Sequence, residues 1–269
     1  MSKTYEVSII IVTWNTAKIT LACIRSINKF LKNKLDYEII LVDNASSDNT
    51  LDLLKKEPNL SIIKNKENLG FSKANNIGAK KAKSNILFFL NSDMELTDSN
   101  LPLLIDFLKS NPQIAALGPK FLNPDLTPQA SVFNPQTPLN AFKEYFLGIK
   151  DAFSKYYPQK LSPQNVDIIS GGALLIKREV FNKIGGWDER YFFYYEDLEL
   201  CRQIKKLGYD IFYYPKMKVI HRHGASGTKI TDESNQWKRL IPSSKIYHGT
   251  LKHYLITSIL WLSQKLKLN

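Results

Sequence analysis

Three short polar clusters each follow an apolar run: Thr13-Trp14-Asn15 after VSIIIV, Asp43-Asn44-Ala45-Ser46 after EIILV, and Asn91-Ser92-Asp93 after ILFFL. If these runs are strands of an open parallel sheet, the clusters converge at its carboxyl edge, where such sheets bind ligands. A carboxylate at Asp93 can there hold a hard divalent cation that bridges two phosphates. Asn91 adds no charge to such a site. The competing reading is that Asp and Asn only cap turns and helices, which suits any one cluster better than all three together.

Two further places carry chemistry. His221 closes the Lys218–His221 run ahead of Arg222-His223-Gly224-Ala225-Ser226 and is a second possible cation anchor, although lone histidines are more often structural. The stretch Trp187-Asp188-Glu189-Arg190-Tyr191-Phe192-Phe193-Tyr194-Tyr195-Glu196-Asp197 sets six aromatics against paired carboxylates at a helix start. Acids there can simply answer the helix dipole. A carboxylate beside aromatic walls is also where a general base belongs, because partial desolvation raises its pKa and the wall positions an acceptor.

The elements that must position these residues are legible from periodicity. Over the first 118 residues, short β-branched runs alternate with helical patterns, the signature of βαβ units in an α/β fold around a mostly parallel sheet. Strands are expected at 7–12, 38–42, 61–64, 86–90 and 114–117. Between the first two, Leu21, Ile24, Ile27 and Leu31 form one apolar helical face. Ser47 or Asp48 can cap a short helix through Leu54, and Asn100-Leu101-Pro102 starts another. Seven of the twelve prolines fall between Pro119 and Pro163, where both periodicities fade and a long excursion is expected. Regular structure resumes at 166–170, with a strand at 173–176, helices at 178–184 and 197–207, a stop at Gly208 and a strand at 209–214.

Composition narrows the function classes. With 43% hydrophobic and 23% charged residues, the 269-residue chain is globular, not disordered. Cys23 and Cys201 lie in helical segments, so neither a disulfide framework nor a zinc cluster is expected. The start, MSKTYEVSIIIVTWN, lacks a secretory h-region, which makes the cytoplasm the expected compartment. No G-x-G-x-x-G follows a strand and no Walker loop occurs, so dinucleotide and P-loop sites are excluded. A net charge of +12 suits nucleic acid, anionic lipid or phosphate-bearing substrates alike. Half of that excess lies at 234–269, where Lys238, Arg239, Lys245, Lys252, Lys265 and Lys267 occur without an acidic residue.

In order, VSIIIVTWN, LVDNASSD, ENLGFSKANN, FFLNSD, SGGALLIKREVFNKIGGWDERYFFYYEDLELCRQIKKLGY and VIHRHGAS resemble the motifs of glycosyltransferase family 2, especially its rhamnosyltransferase-like bacterial members. The resemblance implies the GT-A fold, a Rossmann-like mostly parallel central sheet flanked by helices with a mixed carboxy-terminal part. It implies inverting, metal-dependent transfer of a sugar, rhamnose first, from a dTDP- or UDP-sugar to an acceptor hydroxyl in cell-surface polysaccharide or lipid-linked oligosaccharide synthesis. Another sugar such as galactose or N-acetylhexosamine is the alternative.

By the same resemblance, Thr13, Asn15 and Asp43 hold the base and ribose, and Asn68, Phe71, Asn75 and Ser92 line the nucleotide-sugar pocket. Asp93 and His221 bind Mg2+ or Mn2+, with His223 the lesser choice. Asp197 is the catalytic base, tuned by Glu196, and Gly171, Gly172, Trp187 and Asp188 shape the acceptor pocket. The implied division is a nucleotide-sugar-binding half at 1–118, an acceptor-binding and catalytic half of the same domain at 119–233, and a basic amphipathic tail at 234–269. Asn91 departs from the fuller motif's Asp. Arg202-Gln203 also departs, and no role is assigned to it.

Within the tail, LITSILWL is far short of the ~20 residues that span a bilayer. Flanked by Lys252, Lys265 and Lys267, it either lies on anionic lipid at the inner face of a membrane or packs on the domain as a terminal helix. A nucleic-acid-binding module is the distant alternative, supported only by charge and scattered tyrosines. The motif order opposes it.

Overall fold

β-Branched and aromatic residues that can be covered on both faces dictate the first strands. In the computed structural model, which describes residues 4–222 and 237–266, β1 (Val7–Thr13) and β2 (Tyr37–Asp43) are almost wholly buried, as parallel strands under two helix layers must be. Between them, α1 (Ala17–Leu31) buries Ile24, Ile27 and Leu31 against the sheet. The short α2 (Thr50–Leu54) follows, with Asp48 accepting the Thr50 amide at 3.1 Å. Then come β3 (Leu60–Lys64), α3 (Gly70–Lys81), β4 (Ile86–Leu90), β5 (Met94–Leu96), α4 (Leu101–Ser110) and β6 (Ile114–Leu122).

The proline-rich excursion holds more order than its composition suggests. It contains β7 (Pro128–Gln129), β8 (Val132–Phe133) and α5 (Pro138–Leu147). Two-residue strands are too short to show a period. α5 begins on a proline at its first turn, where no amide is needed, and its cap Thr137 accepts the Asn140 amide at 3.1 Å. The remaining elements are β9 (Gln164–Val166), β10 (Ile168–Ile169), β11 (Ala173–Lys177), α6 (Arg178–Lys183), α7 (Glu196–Lys206), β12 (Asp210–His221), α8 (Trp237–His248) and α9 (Thr250–Lys265). β12 runs seven residues beyond the expected stop at Tyr214. Pro215 reads as a breaker, but a register irregularity between Tyr214 and Lys218 absorbs it and pairing resumes.

Among the described residues these strands form one ten-stranded sheet, ordered β3-β2-β1-β4-β11-β6-β12-β5, with β7 on β6 and β9 on β12. The β3-β2-β1-β4 part is parallel, whereas β11 is antiparallel to both β4 and β6. A mostly parallel sheet with a mixed carboxy-terminal part is therefore the observed fold. Its topology also creates the site. Because β11 runs against β4, the start of β11 lies beside the end of β4, and Asn91 donates its amide to Gly172 at 2.8 Å. β12 pairs with β5 so that His221 faces Met94, next to Asp93.

Within the tail, α8 packs on the aromatic loop before α7. Arg239 lies 3.8 Å over the Phe192 ring, Ser243 donates to the Phe193 carbonyl at 3.0 Å, and Tyr195 contacts the rings of Tyr247 and His248. α9 packs on α5 through Ile256 and Ala141. No described helix is long and apolar enough to cross a membrane.

Candidate active site

At the carboxyl ends of β1 and β4 a cavity of about 290 Å³ opens. Its lining includes Ser92, Asp93 and His221 together with Glu196 and Asp197. Gly171 and Gly172 lie between them at the start of β11. A side chain on Gly171 would come within 3.1 Å of the Trp187 ring and 3.2 Å of the Asp197 Cβ. Glycine thus lets the β11 backbone approach the acid.

Asp93 is 3% exposed, and its Oδ1 has no hydrogen-bond donor among the described residues. A buried acceptor left in that state costs about 1–3 kcal/mol. What Oδ1 faces is His221 Nε2, at 3.6 Å. The other ring nitrogen of His221, Nδ1, is 2.7 Å from Gln129 Oε1, an acceptor that takes the Nδ1 proton, so in the neutral ring the lone pair is on Nε2, the nitrogen that faces Asp93. A carboxylate oxygen and an imidazole nitrogen directed at one point fit a divalent cation whose other ligands are phosphate and water. No third His, Cys, Asp or Glu joins them among the described residues. His223, the other histidine candidate, lies outside those residues.

Asp197 is positioned by backbone. Its Oδ2 accepts the Gly171 amide at 3.1 Å and its Oδ1 the Leu198 amide at 2.9 Å. Each oxygen keeps a further lone pair, so the carboxylate can still take a proton from a bound hydroxyl. Glu196 behind it is buried, and its pKa is pushed up by burial first and by the neighbouring Asp197 charge second. The chain reaches this pair through Tyr194 and Tyr195, both left-handed at φ 72° and 68°. Such a conformation costs non-glycine residues on the order of 1 kcal/mol each, and here the packing of α8 on Tyr195 holds it.

The other nominated residues divide by place. Asn68 and Phe71 line the cavity: the Asn68 Oδ1 accepts from Asn44 at 3.2 Å and from the Gly70 amide at 3.0 Å, and Phe71 sits edge-on to Trp187. Thr13 lines it too, but its hydroxyl is engaged with Thr16 and Thr20 beneath the floor. Asn15, Asp43 and Asn75 stand behind the wall. Asn15 accepts the Ser47 and Asp48 amides, Asp43 accepts the Ser46 amide, and Asn75 donates to the Phe71 carbonyl. Trp187 is 1% exposed and supports Gly171 from outside the cavity. Asp188 is turned away to Arg190, whose hydrogen bonds hold its carboxyl below the usual range.

Two site residues escaped the sequence reading. Gln129, on two-residue β7, orients His221, and no pattern marked it. Lys155 lines the cavity; desolvation lowers its pKa against the attraction of Asp197 and Glu196. It lies in the excursion, where only proximity in space gives it meaning.

Known proteins share both the sequence pattern and the architecture. The Glycosyl transferase family 2 profile matches residues 8–185, and that for the N-terminal domain of galactosyltransferase matches 153–224. The chain is 28% identical over 208 residues to the N-acetylglucosaminyl-diphospho-decaprenol L-rhamnosyltransferase of Mycobacterium tuberculosis, covering 71% of this chain and 67% of that protein. To the dTDP-rhamnosyl transferase RfbF of Shigella flexneri it is 26% identical over 197 residues, 71% of this chain and 62% of that one. The crystal structure of GalNAc-T7 with UDP, GalNAc and Mn2+ superposes with a TM-score of 0.65 at 20% identity, over 83% of this chain and 45% of that chain. The fold is GT-A, and the chain spans about two thirds of the two rhamnosyltransferases and under half of the third protein. Since the profile match runs through the three strand-end clusters and into the Gly171-Gly172 turn that joins them to Asp197, the chain belongs to glycosyl transferase family 2.

Proposed function

We propose that this glycosyltransferase inverts configuration as it moves a sugar, rhamnose first, from a dTDP- or UDP-sugar to an acceptor hydroxyl of a cell-surface polysaccharide or lipid-linked oligosaccharide. The observation that carries the reading is one cavity lined by the adjacent Asp93 and His221 and also by Asp197. One direct displacement needs both a base and a counter-charge. Asp197 removes the proton of the acceptor hydroxyl as its oxygen attacks the anomeric carbon, and the bond to the diphosphate breaks on the opposite face. Asn68 and Phe71 bound the nucleotide side of the cavity and Gly171 and Gly172 the acceptor side. A Mg2+ or Mn2+ ion held by Asp93 and His221 would neutralise the charge growing on the departing diphosphate.

The relatives' names support rhamnose, and that of the mycobacterial one supports an acceptor carried on a polyprenyl diphosphate, a lipid that would keep the reaction at a membrane surface. The galactosyltransferase match over 153–224 and the GalNAc-T7 likeness favour galactose or N-acetylhexosamine as the second reading. A thermal-shift panel of sugar nucleotides with Mg2+ or Mn2+ decides between them. Thymidine and uridine donors should raise the unfolding temperature, dTDP-rhamnose most. A response confined to guanosine or cytidine donors overturns the donor assignment.

Gln129 offers a separate check. Gln129→Leu removes the group that fixes the His221 tautomer without touching Asp93, and metal affinity should fall about 10- to 100-fold. Titration calorimetry with Mn2+ and donor reads this directly. Unchanged affinity would mean that His221 is not a ligand.

A further inference from the structure

A second cavity, of about 500 Å³, lies where α5, α7, α8 and α9 meet. Arg202, Lys205 and Lys206 come from the last turns of α7, and Lys252 from the first turn of α9. Thr137 and Pro138 place the amino end of α5 at the same wall, and Tyr247 and His248 close it. Asp167 is the one acid among the described lining residues, against four permanent cations; the amino ends of α5 and α9 favour an anion and the carboxyl ends of α7 and α8 oppose it, so the side-chain cations set the sign.

Among the described residues two buried nitrogens here have no hydrogen-bond partner: Arg202 spends its terminal nitrogens on Glu199 and on the Tyr247 carbonyl, but neither its Nε nor His248 Nε2 is paired. The Arg202 Nε–H, and His248 in the tautomer with its proton on Nε2, suit phosphate oxygens, which accept several hydrogen bonds at once. Burial, helped by His253, Arg202 and Lys252, lowers the His248 pKa to about 4, so this ring is neutral while no anion is near.

The surroundings say what carries the phosphate. Leu139, next to Pro138, is 62% exposed, and Leu251, next to Lys252, is 83% exposed. Phe142 and Leu147 on α5 and Tyr254, Leu255 and Trp261 on α9 are also exposed. Exposed aromatic and aliphatic side chains beside a basic cavity match an interfacial surface, whose apolar groups enter the headgroup layer while cations meet lipid phosphates. A soluble anion would have no use for them.

We infer that the cavity between α5, α7, α8 and α9 binds the phosphate of an anionic lipid headgroup and seats the α5–α9 face on the membrane. This rests on the reading that the enzyme works at a membrane. The test compares the full chain, Lys206→Gln/Lys252→Gln, and a charge-matched control, Lys34→Gln/Lys66→Gln, in co-sedimentation with phosphatidylcholine vesicles with and without phosphatidylglycerol. The wild type and the control should bind the anionic vesicles, and the cavity variant at least tenfold more weakly, with about 1 kcal/mol gained per cation near such a surface. Inorganic pyrophosphate should compete, and it should raise the His248 pKa read by NMR in the wild type and not in the cavity variant. Equal binding by the two variants, whether strong or weak, leaves only general charge attraction and overturns the cavity site while the membrane reading stands. Failure of the wild type to bind anionic vesicles overturns both.

Discussion

Asp197→Asn is expected to lower sugar transfer by about 10²- to 10⁴-fold while leaving donor affinity near that of the wild type. The reason lies in what the carboxylate touches. Its oxygens accept the Gly171 and Leu198 amides, it lines the cavity, and it bonds to neither Asp93 nor His221 among the described residues. Asn keeps the shape but cannot take a proton. Its amide group must also oppose one of the two backbone N–H donors, at a cost of about 1–3 kcal/mol, so an unfolding curve belongs beside the kinetics. Glu196→Gln is the internal control: burial and the Asp197 charge favour the protonated form of Glu196, which Gln imitates, so most activity should remain. Residual turnover of Asp197→Asn within tenfold of the wild type is too high for a base, and Glu196 would then become the candidate.

Asp93→Ala should fail differently. It removes the carboxylate that faces His221, so the diphosphate loses its counter-charge both when bound and when leaving, and donor affinity and turnover drop together. The fall in kcat/KM should be on the order of 10³-fold, equivalent to about 4 kcal/mol. Metal-free stability should not fall with it, because the wild type buries an Asp93 oxygen without a donor and the variant abolishes that cost. Steady-state kinetics, Mn2+ titration and metal-free thermal unfolding read the three quantities. Wild-type activity that survives excess chelator, or a variant that loses turnover alone, would remove the cation from the mechanism.

The two variants together separate the proposed base from the proposed cation site. Asp93 follows the all-apolar β4 and Asp197 lies in the first turn of the amphipathic α7, whereas His221 closes the part of β12 beyond Pro215, past the expected stop of that strand. Strand ends gather on one sheet edge by topology alone, so the convergence of Thr13, Asp43 and Asp93 follows from hydrophobic patterning.

Which atoms face the ligand is a different matter. Asn15, Asp43 and Asn75 share residue types with cavity-lining neighbours, yet their side chains hold the loops that form the cavity. Asn44, one residue after Asp43, bonds to Asn68 and lines the cavity instead. A strand alternates its side chains between faces, but at a strand end the turn decides the direction, and turn geometry is set by distant partners. Likewise the tail's charge and apolar run are written in its composition, whereas their uses diverge in space. α8 braces the aromatic loop ahead of Asp197, and α9 packs on α5.

The local periodicities of this chain therefore account for β1 to β4, β6 and β11, for α1, α2, α4, α6 and α7, and for the sheet edge on which the polar clusters gather, because burial of apolar faces is a short-range pattern. Only the tertiary structure decides that Gln129 directs His221, that Lys155 faces Glu196 and Asp197, and that Arg202 and Lys252 share a second cavity. Those pairings join residues 50 to 92 positions apart, or fall in a proline-rich stretch with no period, and are set by how whole elements pack.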